Sequence, residues 1–161
     1  RSVSNKTEGL EHIRDAVDLV SDKLGRRLKF LMGKPGLDGH SNGAEQIAYR
    51  ARDCGMEIAY EGIRLTPEEI VTAAQNEACH VIGLSVLSGS HMPLLQDLMA
   101  RLKAEGLDSI PVIVGGIIPD DDAARLKTMG VAQVYTPKDF ELNTIMMDIV
   151  ALADPHPVAA Q

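Results

Sequence analysis

Residues 34–43 read Lys-Pro-Gly-Leu-Asp-Gly-His-Ser-Asn-Gly, and the fold can be read outward from them. Before them lies a short apolar run of strand length, residues 28–32. After them Ala44, Ile47, Ala48 and Ala51 recur at the spacing of one helix face. A strand entering a helix through a glycine-rich loop is half of a strand–helix–strand unit, the building block of parallel sheets. Three glycines and a proline let this loop bring its backbone close to another molecule. At its tip His40 follows Asp38 by two residues. An imidazole whose second nitrogen is held by a carboxylate is the usual arrangement of a tuned metal ligand or base. The plainer reading of the same pair is an Asx-turn aspartate and a loop histidine bonded to backbone.

The alternation continues along the chain. A strand at 57–60 is followed by Thr66-Pro67-Glu68-Glu69, a capping box with proline at the first helical position. An apolar strand at 80–85 precedes a helix carrying Leu95, Leu98, Met99 and Leu102. A strand at 111–114 leads to Ala123, Leu126 and Met129, with a stop at Gly130. A strand at 131–135 leads to Leu142, Ile145, Met146, Ile149 and Val150. Ahead of all these, Leu10, Ile13, Val17, Val20 and Leu24 predict one extra N-terminal helix that stops at Gly25. Residues 1–7 are polar and expected to be mobile, and the tail from Asp154, rich in Pro and Ala, is expected to fray. The expected division is a tail and linker helix over 1–25, one binding domain over 26–152, and a C-terminal tail over 153–161.

Near-continuous apolar strands alternating with helices imply an α/β fold with a parallel sheet covered on both faces. Five units predict a doubly wound, flavodoxin-like order 2-1-3-4-5. The ligand crevice of that order lies beyond the carboxyl ends of strands 1 and 3. The unusual loops gather there. Strand 1 is followed by the loop with Asp38 and His40, strand 3 by Ser85-Val86-Leu87-Ser88-Gly89-Ser90-His91, and strand 4 by Gly115-Gly116. The stretch after strand 2, residues 62–66, is plainer.

Composition narrows the partners. The 161 residues fit one domain, and 45 % hydrophobic content with 3 % aromatics and no Trp gives a core of aliphatic residues and Met. A net charge of −7 without a basic run argues against nucleic acid. No apolar stretch approaches the roughly 20 residues needed to span a bilayer, and no signal-peptide pattern opens the chain. Cys54 and Cys79, each beside an apolar pattern, read as buried thiols of a cytoplasmic protein. The chain begins at Arg1 rather than Met, as an excised or processed piece of something longer would.

The loops exclude several chemistries. Gly33-Lys34-Pro35-Gly36 lacks the Walker spacing, and Gly36, Gly39 and Gly43 do not make Gly-x-Gly-x-x-Gly. His40, Asp38 and a distant His91, with no nearby Cys, are a poor zinc set. Neither Ser85 nor Ser88 sits in a Gly-x-Ser-x-Gly elbow. Asp120-Asp121-Asp122 stands at a helix start, where acids favour the helix dipole, and His80 opens an apolar strand as a structural residue. What remains is one histidine with a carboxylate behind it and a slot of small residues. One histidine suffices when the metal arrives already held by a macrocycle and needs only an axial ligand.

At this point the sequence resembles a known family. Asp38-x-His40-x-x-Gly43, Ser85-x-Leu87 and Gly115-Gly116, in order and each after its strand, are similar to the three-part signature of cobalamin (vitamin B12) binding domains. Lys34-Pro-Gly-Leu-Asp-Gly-His40, Gly62-Ile-Arg-Leu-Thr-Pro-Glu68, Leu84-Ser-Val-Leu-Ser-Gly-Ser-His91 and Val114-Gly-Gly-Ile-Ile-Pro119 resemble the methylmalonyl-CoA mutase family. Tyr135-Thr-Pro-Lys-Asp-Phe-Glu-Leu-Asn143 looks more like its ethylmalonyl-CoA branch.

The resemblance implies adenosylcobalamin, with His40 as the lower axial ligand of cobalt in place of the cofactor's dimethylbenzimidazole. It implies Asp38 as acceptor of the other ring N–H, Lys34 in support of that carboxylate, and Gly43, Ser85, Leu87, Ser88, Gly115 and Gly116 around the displaced nucleotide tail. His91 would lie near the corrin rim. The implied reaction is a carbon-skeleton rearrangement of an acyl-CoA, an isomerase activity begun by homolysis of the Co–C bond. The substrate would sit in a separate barrel domain of the same chain or another subunit. No catalytic residue toward the acyl-CoA is expected in this chain, and the full protein is expected to be a cytoplasmic homo-oligomer. A corrinoid carrier for methyl transfer would share the signature but place a four-helix cap ahead of it. A non-enzymatic cobalamin sensor or chaperone would need an attached DNA-binding or partner domain.

Overall fold

The computed structural model describes residues 2–35, 42–86 and 92–156. Asp38, His40, Leu87, Ser88 and His91 lie outside the described residues. The elements in chain order are α1 (Ser2–Leu24), β1 (Lys29–Pro35), α2 (Asn42–Asp53), β2 (Glu57–Leu65), α3 (Pro67–Glu77), β3 (Val81–Val86), α4 (Met92–Ala104), β4 (Val112–Gly116), α5 (Asp120–Thr128), β5 (Gln133–Tyr135) and α6 (Leu142–Ala153). The five strands form one parallel sheet in the order β2-β1-β3-β4-β5. This is the doubly wound order expected from the alternation, with one extra helix ahead of it.

Side-chain alternation along each strand divides the core into two layers. Phe30, Met32, Val81, Ile113 and Tyr135 point to the face covered by α1, α2 and α6. Leu31, Ile82, Leu84, Val112 and Val114 point to the face covered by α3, α4 and α5. A Cβ on Gly83 would overlap the Phe30 ring, standing 2.9 Å from its Cε1, so the glycine makes room for the ring beside it in the neighbouring strand. The capping box at Thr66 forms as its sequence predicts. The Thr66 hydroxyl accepts from the Glu69 N–H at 3.1 Å, and Glu69 accepts from the Thr66 N–H at 2.8 Å. Cys54 and Cys79 are buried and free, and burial pushes both thiols up to about 11. Among the described residues no helix is long and apolar enough to cross a membrane.

Apart from shifts of one or two residues, as in β5, which starts at Gln133 and not at Val131, the chain departs from expectation in four places. First, β2 runs past Tyr60 to Leu65, because β1 also continues to Pro35 and pairs with it through two register shifts, Gly33 with Gly62 and Pro35 with Leu65. Second, Gly115 and Gly116 belong to β4 rather than to the loop after it. The ladder with β3 continues through Ser85–Gly115 and Val86–Gly116, and parallel pairing overrides the weak strand propensity of glycine. Third, α1 starts at Ser2, since backbone hydrogen bonding carries a helix beyond its apolar stripe. Fourth, the chain after α6 is tied down at its start. Asp154 accepts from the His156 N–H at 2.9 Å and pairs with Lys23 at 3.2 Å.

His80 is structural. Its Nδ1 accepts the Lys29 N–H at 2.9 Å, joining the starts of β1 and β3. Burial, helped by the Arg26 charge, lowers its pKa from the ordinary 6.5. The folded protein therefore binds this proton less readily than the unfolded chain. The bond's contribution is intact above pH 6.5 and declines as the pH falls below it toward the lowered folded value. In urea unfolding, His80→Asn is expected to lose less stability than the parent between pH 7.5 and pH 5.5. Equal pH slopes would remove His80 from the acid sensitivity of the fold.

Candidate functional site

The carboxyl ends of β1, β3, β4 and β5 surround a cavity of about 620 Å³, within the size range of small-molecule and cofactor sites. It opens on the α2 and α6 side of the sheet. Met32, Gly83 and Ile113 form its floor, and Ala44 and Ile47 of α2 close one wall. Ser85 and Val86 at the end of β3 face Gly115 and Gly116 at the end of β4. Tyr135, Thr136 and Pro137 follow from the end of β5. Ile117 and Phe140 line the cavity yet remain 61 % and 37 % exposed, an apolar rim that solvent covers unless something larger rests on it.

Among the described residues the polar groups are few. Lys34, at the end of β1, is only 3 % exposed and lines the cavity. Alternation along β1 sends it to the same face as Phe30 and Met32. Ser85 is half-buried, and Gln46 and Thr136 add an amide and a hydroxyl. The Tyr135 hydroxyl donates to Asp148 Oδ2 at 2.6 Å. Burial, and then the Asp148 carboxylate, push the phenol far above its ordinary pKa, so it stays protonated. Below the rim, Glu141 caps α6 by accepting from the Thr144 N–H at 2.8 Å and the Thr144 hydroxyl at 2.6 Å. Those bonds hold its carboxyl below the usual range. An apolar lining with a handful of placed polar groups is suited to holding a flat or extended ligand.

Of the residues singled out from sequence, the structure brings Lys34, Gly43, Ser85, Gly115 and Gly116 to this one cavity. The glycines differ in what requires them. A Cβ on Gly116 would collide with the Val86 carbonyl, 2.8 Å from its carbon. Among the described residues, a Cβ on Gly115 would come no closer than 3.7 Å, at the Tyr135 carbonyl oxygen, and one on Gly43 would meet nothing within 4 Å. The packing of the described residues thus leaves room for a Cβ at Gly115 and Gly43, on the rim of the cavity. Sequence reasoning missed Gln46, Ile117, Thr136 and Phe140, and assigned Tyr135 no place in the site. The available signal was topological. The end of β5 lies beside the end of β4, with Gly115 opposite Tyr135, so the segment after strand 5 had to border the same crevice.

A B12 binding domain model matches residues 28–139, which include β1 to β5 and every wall of the cavity up to its rim. The chain belongs to the B12-binding domain family. Its cofactor is B12, a cobalt corrinoid. Along its whole length the chain is 66 % identical to an ethylmalonyl-CoA mutase of Cereibacter sphaeroides, of which it spans 24 %. It is 39 % identical over 127 residues to the small subunit of 2-hydroxyisobutanoyl-CoA mutase of Aquincola tertiaricarbonis, matching 77 % of this chain and 93 % of that one. A solved structure of a cobalamin-binding protein from Desulfitobacterium hafniense has the same fold, with a TM-score of 0.66 at 20 % identity over 86 % of this chain and 70 % of that one. The chain thus spans about a quarter of the length of the first of these relatives. For a B12-binding domain, the space at Gly115 fits the group: among the described residues the cavity is mostly apolar, and a glycine stands where a larger side chain would narrow it.

Proposed function

We propose that this chain is the cofactor-binding part of an acyl-CoA carbon-skeleton mutase of the ethylmalonyl-CoA type, taking adenosylcobalamin with its nucleotide tail extended into the cavity. The observation that carries this reading is the unfilled space at Gly115 beside the half-buried Ser85, in a chain similar throughout to an ethylmalonyl-CoA mutase. His40 would be the protein residue that coordinates the cobalt. Asp38 accepts the other ring N–H, which sets the tautomer and raises the basicity of the ligand. Lys34, held inside the end of β1, supports that carboxylate. Gly43, Ser85, Leu87, Ser88, Gly115 and Gly116 enclose the tail. When bound, adenosylcobalamin supplies a Co–C bond whose homolysis starts the rearrangement.

The acyl-CoA is bound elsewhere, on a barrel domain in the same chain or on another subunit. The small-subunit relative, matched over nearly all its length, supports the second arrangement as well as the first. By itself this chain binds cofactor and turns over no acyl-CoA.

The test is electron paramagnetic resonance of the Co(II) state with nitrogen-15 histidine in the protein. The parent is expected to show one histidine nitrogen on cobalt, and His40→Ala to lose it. A spectrum unchanged by that substitution, or one carrying the cofactor's own base, removes His40 from the metal.

A further inference from the structure

Asp148 lies on α6, outside the lining of the cavity, and is half-buried. Tyr135 is 6 % exposed and does line it. The bond between them, 2.6 Å from the phenol oxygen to Oδ2, therefore directs the one hydrogen-bonding hydrogen of the Tyr135 side chain to a residue outside the cavity lining. A buried phenol must satisfy its O–H, and it has three kinds of partner available: water, a ligand or a protein acceptor. A charged carboxylate at this distance outcompetes the neutral ones.

We propose that Asp148 is a positioning residue that withdraws the Tyr135 hydroxyl from the cofactor and so makes the tail cavity selective for an apolar base. This rests on the function proposed above. Gly115 lies beside Tyr135 in the sheet; Met32, Ile47 and Ile113 are apolar, and Lys34, Gln46, Ser85 and Thr136 are the polar side chains of the lining among the described residues. A dimethylbenzimidazole freed from cobalt presents two methyl groups and one unoccupied ring nitrogen, and the Ser85 hydroxyl can serve that nitrogen. An adenine in the same place carries an amino group and further ring nitrogens. With the phenol's O–H already given to Asp148, those ring nitrogens, which can only accept, lose water and gain no donor from Tyr135, which costs affinity.

The experiment compares binding of cobalamin with binding of the corrinoid whose tail base is adenine, by absorbance titration of the purified chain. The parent is expected to bind cobalamin about tenfold more tightly, the size of roughly one unmatched polar group. Asp148→Ala frees the phenol to donate to a purine nitrogen, and the preference is expected to shrink about fivefold. Tyr135→Phe keeps the apolar ring and removes the donor, so the preference stays as in the parent. Asp148→Asn still accepts through its amide oxygen and falls between parent and Asp148→Ala. A loosened fold would weaken both corrinoids alike and leave the ratio unmoved, so the ratio reports on the phenol alone. A ratio unchanged in Asp148→Ala, or changed equally in Tyr135→Phe, overturns the inference while the B12 reading stands. Failure of the parent to bind either corrinoid overturns that reading and this inference with it.

Discussion

Gly116→Val is expected to destabilise the chain by at least about 3 kcal/mol, the upper range for forcing atoms into packed structure, whether or not cofactor is present. The reason lies in the sheet. At a φ of +156° the missing Cβ of Gly116 is directed at the Val86 carbonyl of the neighbouring strand, 2.8 Å from the carbonyl carbon and 3.1 Å from Val86 Cγ2. The obstacle is backbone inside a parallel ladder, which cannot rotate away as the tip of a side chain could. Relief requires the end of β4 to leave β3, and the carboxyl end of the sheet is where Ser85, Gly115 and Tyr135 are set. Urea unfolding monitored by circular dichroism measures the loss directly. Gly116→Ala carries the same Cβ and should show most of the effect. A stability within about 0.5 kcal/mol of the parent, the range of innocuous surface changes, would mean that β4 ends before Gly116. The fold alone therefore demands glycine here, and any benefit to a bound tail is additional.

How much of this could be read from sequence depended on whether a feature was local. The apolar runs at 28–32 and 80–85 and the capping box at Thr66 announce their elements by themselves. Five such units allow few topologies, so the strand order followed. The Gly-rich loop and Gly115-Gly116 marked the edge of the sheet that carries the cavity. The ends of β1, β2 and β4 were not legible. Their extension depends on pairing between distant segments, and glycine and proline at 33–35 and 115–116 read as breakers where the ladder in fact continues. The Tyr135–Asp148 bond was hidden for the same reason. Its partners are 13 residues apart on different elements, and an aspartate in an amphipathic helix looks like a solvated one. The two adjacent glycines also look equivalent in sequence. Only the packing separates them, one facing a carbonyl and the other, among the described residues, meeting only ordinary contacts at the edge of the cavity.

That separation leads to the opposite expectation for the neighbour. Gly115→Val is expected to fold as stably as the parent, or more so, and to lose about 100-fold in affinity for cobalamin. Its Cβ would stand 3.7 Å from the Tyr135 carbonyl oxygen and 3.9 Å from the Tyr135 Cβ, ordinary contact distances. The position is half-buried at the end of a strand, and a β-branched residue suits a strand better than glycine, which gives up more chain entropy on folding. Among the described residues nothing therefore opposes the added Cβ. The valine methyls would instead occupy the space between Ser85 and Tyr135 that the proposed tail needs. Overfilling a packed site costs about 1–3 kcal/mol, and the upper end of that range corresponds to roughly a hundredfold in dissociation constant. Gly115→Ala, with one methyl, should lose about tenfold by the same scaling. The pair of measurements is thermal or urea unfolding without cofactor and absorbance titration with cobalamin. Parental stability with weakened binding places the tail against Gly115. Parental stability with undiminished binding moves the tail out of this cavity, because a fold that tolerates valine and a ligand that ignores it leave the glycine without a role. The contrast with Gly116→Val is internal to one dipeptide: adjacent residues on the same strand, one expected to lose stability first and the other to lose only affinity, because alternate positions of β4 face a neighbouring backbone and the cavity.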